Sequence, residues 1–241
     1  MKKVQYIITA TILSFGLIIS AALISNAMHN SDKSQSRITV KGVAEKRVKA
    51  DKAIINVIFS TSNTKLEDAQ DNVSKKEKAV LDILKSLELK ENEYQVNNVK
   101  VQPNFSERQQ ERETKILSYD VMQSVVITPK NIEKSDEIYE KLQELKLTFN
   151  NMNIIKPEYY ITSIEKYKKD LLVSATENAE MRAIEMLKVN KNEIGGLENM
   201  TQGQFEILKD NEDILNKDEE MQNQIYKRMR LVVTATYFIR Y

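Results

Sequence analysis

An α+β sandwich behind an N-terminal transmembrane helix is the fold class that this sequence predicts, on three observations. Residues 7–24 (IITATILSFGLIISAALI) are almost wholly apolar and carry no charge. The rest of the chain switches between apolar alternation of period two and apolar recurrence of period 3.6. The period-two runs come mostly in pairs with a helical run between them, which is the pattern of a sheet carrying helices on one face.

The N-terminal run comes first. Between Lys3 and Asp32 there is no charged residue. A signal-peptide core needs about 7–15 apolar residues and a spanning helix about 18 or more, so residues 7–24 fall on the spanning side. Residues 1–28 therefore read as a signal anchor. Ser25-Asn26-Ala27 offers a small-x-small cleavage site, so a cleaved signal peptide that releases a periplasmic protein is the alternative. Lys2 and Lys3 remain cytoplasmic by the positive-inside rule, which places the C-terminal body in the periplasm of a single-pass inner-membrane protein. Residues 29–36 (HNSDKSQS) read as a short polar linker, and residues 37–241 as the working domain.

The body begins with two strand-like runs, 37–46 (RITVKGVAEK) and 53–62 (AIINVIFSTS), joined by a turn at Val48-Lys49-Ala50-Asp51. Leu66, Ala69, Val73, Val80, Ile83, Leu84 and Leu87 then recur at helical spacing. Thr64 and Glu67 make a capping box for a first helix over 65–87. Strands over 95–105 and 116–128 follow, the first with Val99, Val101 and Phe105 on one face. The charged segment 106–115 (SERQQERETK) is their hairpin tip. Pro129 precedes a second helix over 131–146. A strand over 153–163 leads to a third, longest helix. Its capping box is Thr162 with Glu165, and its apolar stripe is Leu172, Ala175, Ala179, Ala183 and Leu187. Alanines at that spacing let a helix lie close to a sheet. Gly195-Gly196 supplies a helix stop. Strands over 197–208 and 229–239 finish the chain around the acidic segment 209–224. The last strand is apolar on both faces, which predicts a central or doubly covered position.

Composition bounds the function. With 36 basic and 35 acidic residues the net charge is +1, so there is no electrostatic footprint for nucleic acid. The absence of cysteine excludes disulfides, thiol chemistry and a lipid-modified cysteine. His29 is the sole histidine, too few for a zinc set or a catalytic triad, and reads as a polar residue at the membrane border. No serine lies in a Gly-x-Ser-x-Gly elbow. Glu212, Asp213 and Asp218-Glu219-Glu220 match no calcium-loop spacing and read as a solvated run. Gly195-Gly196 lacks the Gly-Lys-Ser/Thr of a phosphate loop. Asp51 reads as a carboxylate bonding the backbone of its own turn, the alternative being a binding contact. The expectation is no catalytic, cofactor-binding or metal-ligating residue and no cofactor.

Ile38-Thr39-Val40-Lys41-Gly42-Val43-Ala44-Glu45 with Val48-Lys49-Ala50-Asp51-Lys52-Ala53 resembles the opening signature of the SIMPL-domain (DUF541) family. The alanine-spaced helix and Gly195 resemble its later signature. Thr201-Gln202-Gly203-Gln204-Phe205 and Arg228-Met229-Arg230-Leu231-Val232-Val233 resemble the end of its membrane-anchored periplasmic subgroup. Asn190-Lys191-Asn192-Glu193 departs from it where a glycine is common. The resemblance implies a two-layer SIMPL-type sandwich of antiparallel or mixed sheet with three helices. It further implies a cell-envelope protein without established enzyme activity, associated with envelope or oxidative stress tolerance. Some members assemble into ring-like oligomers. The expectation is therefore a non-enzymatic module, tethered to the membrane by its N-terminal helix, that forms a homo-oligomer or binds an envelope protein. The competing class is an envelope hydrolase or glycan-binding enzyme using dispersed carboxylates. At least one of the charged loops 106–115 and 209–224 is expected to contact another subunit or an envelope partner.

Overall fold

The computed structural model describes residues 13–26, 36–105, 115–210 and 220–241. The strands and helices of the body follow the order β1 (Arg37–Lys49), β2 (Lys52–Asn63), α1 (Leu66–Ser86), β3 (Tyr94–Val96), β4 (Lys100–Phe105), β5 (Ile116–Ile127), α2 (Ser135–Glu144), β6 (Met152–Ile154), β7 (Glu158–Tyr160), α3 (Ile164–Val189), β8 (Glu193–Lys209) and β9 (Tyr226–Arg240). The class is α+β. The chain forms two compact units: one holds the chain up to Lys46 with Glu165–Glu206 and Met229–Tyr241, the other Arg47–Ile164 and Ile207–Arg228.

The second unit is built on a sheet of order β3-β5-β2-β6, with β4 also pairing β5 and β7 also pairing β2. β2 and β5 are antiparallel from Ile55↔Ile127 to Asn63↔Tyr119. Alternation puts Ile55, Val57 and Phe59 with Val121, Val125 and Ile127 on one face. Ala69, Val73, Val80 and Leu84 of α1 and Ile138 and Leu142 of α2 bury that face completely. Each large side chain so buried contributes about 1.5–3 kcal/mol. Lys76 lies on the same side of α1 and is only 7% exposed. Its ammonium donates to the carbonyls of Ser60 and Asn150, both at 2.7 Å, and burial holds its pKa below the ordinary lysine value.

The first unit carries a sheet of order β1-β9-β8, so the doubly apolar last strand is central, as its composition predicts. Ala175, Ala179 and Ala183 of α3 pack on Val40, Val233, Ala235 and Tyr237. The fit is closest at Gly42, where a Cβ would stand 2.0 Å from the Ala175 carbonyl oxygen and 2.7 Å from the Ala179 Cβ. The glycine on the strand and the alanines on the helix thus form one packing device.

Several local expectations are revised. The strand expected over 95–105 is two, broken at Asn97-Asn98-Val99. That over 153–163 is also two, broken at Ile155-Lys156-Pro157, where proline removes a ladder donor. Neither capping box forms. Before α1, Asn63 Oδ1 accepts from the Lys65 N–H at 3.2 Å, and before α3 the Thr162 hydroxyl is held by Asp51. The leucine that opens the buried α3 stripe is Leu171, not Leu172. Gly195-Gly196 lies inside β8, where a Cβ on Gly195 would meet the Phe238 carbonyl oxygen at 2.8 Å. The helix stops earlier. The Asn192 N–H bonds the Leu187 carbonyl and the Lys191 N–H that of Lys188, with Lys191 at φ 56°. That is a Schellman ending without its usual glycine.

Residues 13–26 are helical, and Leu13, Phe15, Leu17 and Leu23 are about two-thirds exposed. Among the described residues no helix is long and apolar enough to cross a membrane. Residues 7–12 of the apolar run, His29 and linker residues 29–35 lie outside the described residues.

Candidate interaction surface

Asp51 ends the turn between β1 and β2. Its carboxylate accepts the Thr162 N–H at 2.8 Å and the Thr162 hydroxyl at 2.9 Å, while its own N–H donates to the Tyr160 carbonyl at 3.0 Å. The expectation that the Asp51 carboxylate bonds the backbone of its own turn is corrected: its role is structural, but its partner is Thr162. It fastens its turn to the segment before α3 rather than to itself.

A second clasp closes the base of the acidic segment. Asp210 is 2% exposed and accepts from Arg47 Nε at 2.7 Å. The Arg47 guanidinium lies 4.1 Å from the centre of the Tyr226 ring, within cation–π range. The Asp210 N–H donates to Gln224 Oε1 at 2.9 Å, and Gln224 is itself buried. Asp210 and Gln224, near the two ends of the acidic segment, are thus buried and tied together. Residues 211–219 lie outside the described residues, as do 106–114 of the other charged loop, so Glu212, Asp213, Asp218 and Glu219 are not placed. Sequence reasoning missed Arg47 and Asp210. The sequence carries no separate signal for the pair, since Asp210 follows Lys209 and merges into the acidic run with Glu212 and Asp213.

No group of three or more His, Cys, Asp or Glu suited to a metal ion occurs among the described residues. A shallow groove of about 280 Å³ runs between β1 and α3, lined by Thr39, Val40, Lys41, Arg182, Glu185 and Met186. Two polar side chains of α3 in and beside it, Arg182 and Asn178, serve the fold. Arg182 donates to the Lys41 carbonyl at 3.0 Å, and the next outward group, the Val43 N–H, donates to Asn178 Oδ1 at 3.0 Å.

Apolar surface collects in two places instead. On β4 and β5, Val101, Phe105, Ile116 and Leu117 are between 40% and 53% exposed. Val101 pairs with the buried Val121, so the core face of this sheet continues past its helical cover. The apolar face expected over Val99, Val101 and Phe105 is therefore open rather than buried. On β8, an edge strand, residues 197–204 are all exposed, among them Leu197 and Met200.

No curated protein matches the chain. The model of the SIMPL family, described as a protein of unknown function (DUF541), matches residues 38–236. It spans both units, and Gly42, Asp51 and the alanine stripe of α3 all lie within the match. The chain belongs to the SIMPL (DUF541) family.

Proposed function

We propose that this chain is a non-catalytic module of the bacterial cell envelope that works by assembling with itself or by binding an envelope protein, in envelope or oxidative stress tolerance. Its N-terminal apolar run holds it in the inner membrane as a single-pass anchor, with the body in the periplasm. The observation that carries the reading is the apolar surface on strands, Val101, Phe105, Ile116 and Leu117 on one sheet and Leu197 and Met200 on the other. Contiguous apolar surface on a folded body marks a contact site, and strand edges are ready templates for pairing. The exposed leucines and Phe15 of helical residues 13–26 support the anchor, because such a surface is favourable only against lipid or protein.

The test uses the full-length chain. A reporter active only outside the cytoplasm, fused after Tyr241, is expected to be active. The solubilised protein is expected to run in native mass measurement at a multiple of its 27.9 kDa or with a crosslinked envelope partner. A silent reporter, or a chain that stays monomeric and captures no partner, overturns the proposal.

A further inference from the structure

The two edges of the β1-β9-β8 sheet are treated differently. The Ser36 carbonyl accepts from the Ile239 N–H of β9, so even-numbered residues of β1 face β9 and odd-numbered ones point their backbone groups outward. Two of those outward groups are taken by α3, the Lys41 carbonyl by Arg182 and the Val43 N–H by Asn178. Such capping blunts an edge. β8, at 17 residues, is the longest strand, and no side chain among the described residues bonds the backbone of residues 196–205.

The sequence of this open edge is complementary to itself when read in reverse. Centred on Thr201, antiparallel pairing of two copies sets Glu193 opposite Lys209, Ile194 opposite Leu208, Leu197 opposite Phe205 and Glu198 opposite Gln204. One charge pair, two apolar pairs and a carboxylate–amide pair then recur on both sides of the centre, with no like charges opposed. Neighbouring registers lose this. Centring on Met200 opposes Ile194 to Glu206 and Leu197 to Gly203, and centring on Gln202 opposes Glu198 to Glu206. Directly opposed cross-strand pairs are the unit of sheet stabilisation, and opposed like charges are destabilising.

We infer that β8 pairs antiparallel with β8 of a second copy of this chain, about a two-fold axis at Thr201. The inference rests on the assembly reading given above and names the partner and the register. A two-fold contact of this kind uses the same patch twice, so each favourable pair counts twice.

The chain has no cysteine, so single-cysteine variants report cleanly. Opposed residues in an antiparallel pair have Cα atoms about 4.5–5.5 Å apart, inside the range a disulfide spans. Full-length Thr201→Cys, oxidised mildly in the membrane, is expected to run as a covalent dimer. Glu198→Cys and Gln204→Cys are expected to crosslink to each other when co-expressed, at least about tenfold better than either does alone. Leu197→Lys, at an exposed position, is expected to weaken the dimer by about tenfold. If native mass shows an assembly but Thr201→Cys stays monomeric, the inference is overturned and the assembly reading stands. A monomer by both measurements overturns the inference, and one that also captures no envelope partner overturns the assembly reading as well. Equal crosslinking by Glu198→Cys alone and by the mixed pair overturns the register, and a dimer unmoved by Leu197→Lys removes β8 from the interface.

Discussion

Glu88 and Lys191 occupy the position after a helix where the chain must turn left-handed, at φ of 60° and 56°. Both endings make the paired Schellman bonds, Leu89 N–H to the Leu84 carbonyl and Glu88 N–H to that of Lys85 in the first, and the Asn192 and Lys191 pair in the second. An L side chain in that conformation costs about 1–2 kcal/mol, partly offset when glycine's greater freedom in the unfolded chain is counted. Lys191→Gly and Glu88→Gly are each expected to raise stability by about 0.5–1 kcal/mol in denaturant unfolding. A loss at either site would mean that the side chain carries a contact worth more than the strain. Glu93 makes a different kind of local tie. Its carboxylate accepts the backbone N–H of Lys130 at 2.8 Å and that of Lys90 at 2.9 Å, and these bonds, Lys130 first, hold its pKa below the ordinary carboxyl range. A depressed carboxyl pKa adds stability above the unfolded value of about 4.3 and loses it as pH falls through the folded value. Glu93→Gln is therefore expected to be less stable than the parent at pH 7, with the gap closing below about pH 4 in pH-dependent melting. Turn chemistry of this sort was only partly legible. The expected glycine at the end of α3 is a lysine, so the sequence pointed to Gly195-Gly196, four residues too late.

At the scale of elements, periodicity was a good guide to what exists and a poorer one to what covers it. The alternation of Ile55, Val57 and Phe59 and the spacing of Ala69, Val73, Val80 and Leu84 predict a strand and a helix that the structure places face to face. The same alternation puts Val99, Val101 and Phe105 on one face, and that face is open, because period two reports which side a residue is on and not whether anything lies over it. Lys76 shows the reverse, a charged residue at a core position whose two carbonyl partners come from segments far apart in sequence. The alanine stripe of α3 is the element whose role follows most directly from composition. Ala179→Leu is expected to cost roughly 1–3 kcal/mol by overpacking. Gly42→Ala is expected to cost at least as much, since its methyl would meet helix backbone, which cannot rotate away. Unchanged melting temperatures for both would separate α3 from β1.

For the whole molecule, what could be read in advance was class and family, namely an α+β order of strands and helices and the motifs that resemble the SIMPL signature. The clasp of Arg47, Asp210 and Gln224 and the capping of the β1 edge were not legible, since each joins residues brought together only by the fold. The edge caps bear on how the protein behaves at high concentration. Asn178→Ala combined with Arg182→Ala is expected to leave α3 packed through its alanines but to produce particles larger than the parent's in light scattering. A size distribution identical to the parent's would show that these two side chains do not guard the edge. The guarded edge has a further consequence. A sheet with one receptive side and one refractory side can be joined once and then has nothing left to offer. Two copies meeting through β8 would present β1 at both outer margins, so lateral growth would end at the pair. A surface that could template open-ended polymerisation would be limited in this way to a closed union.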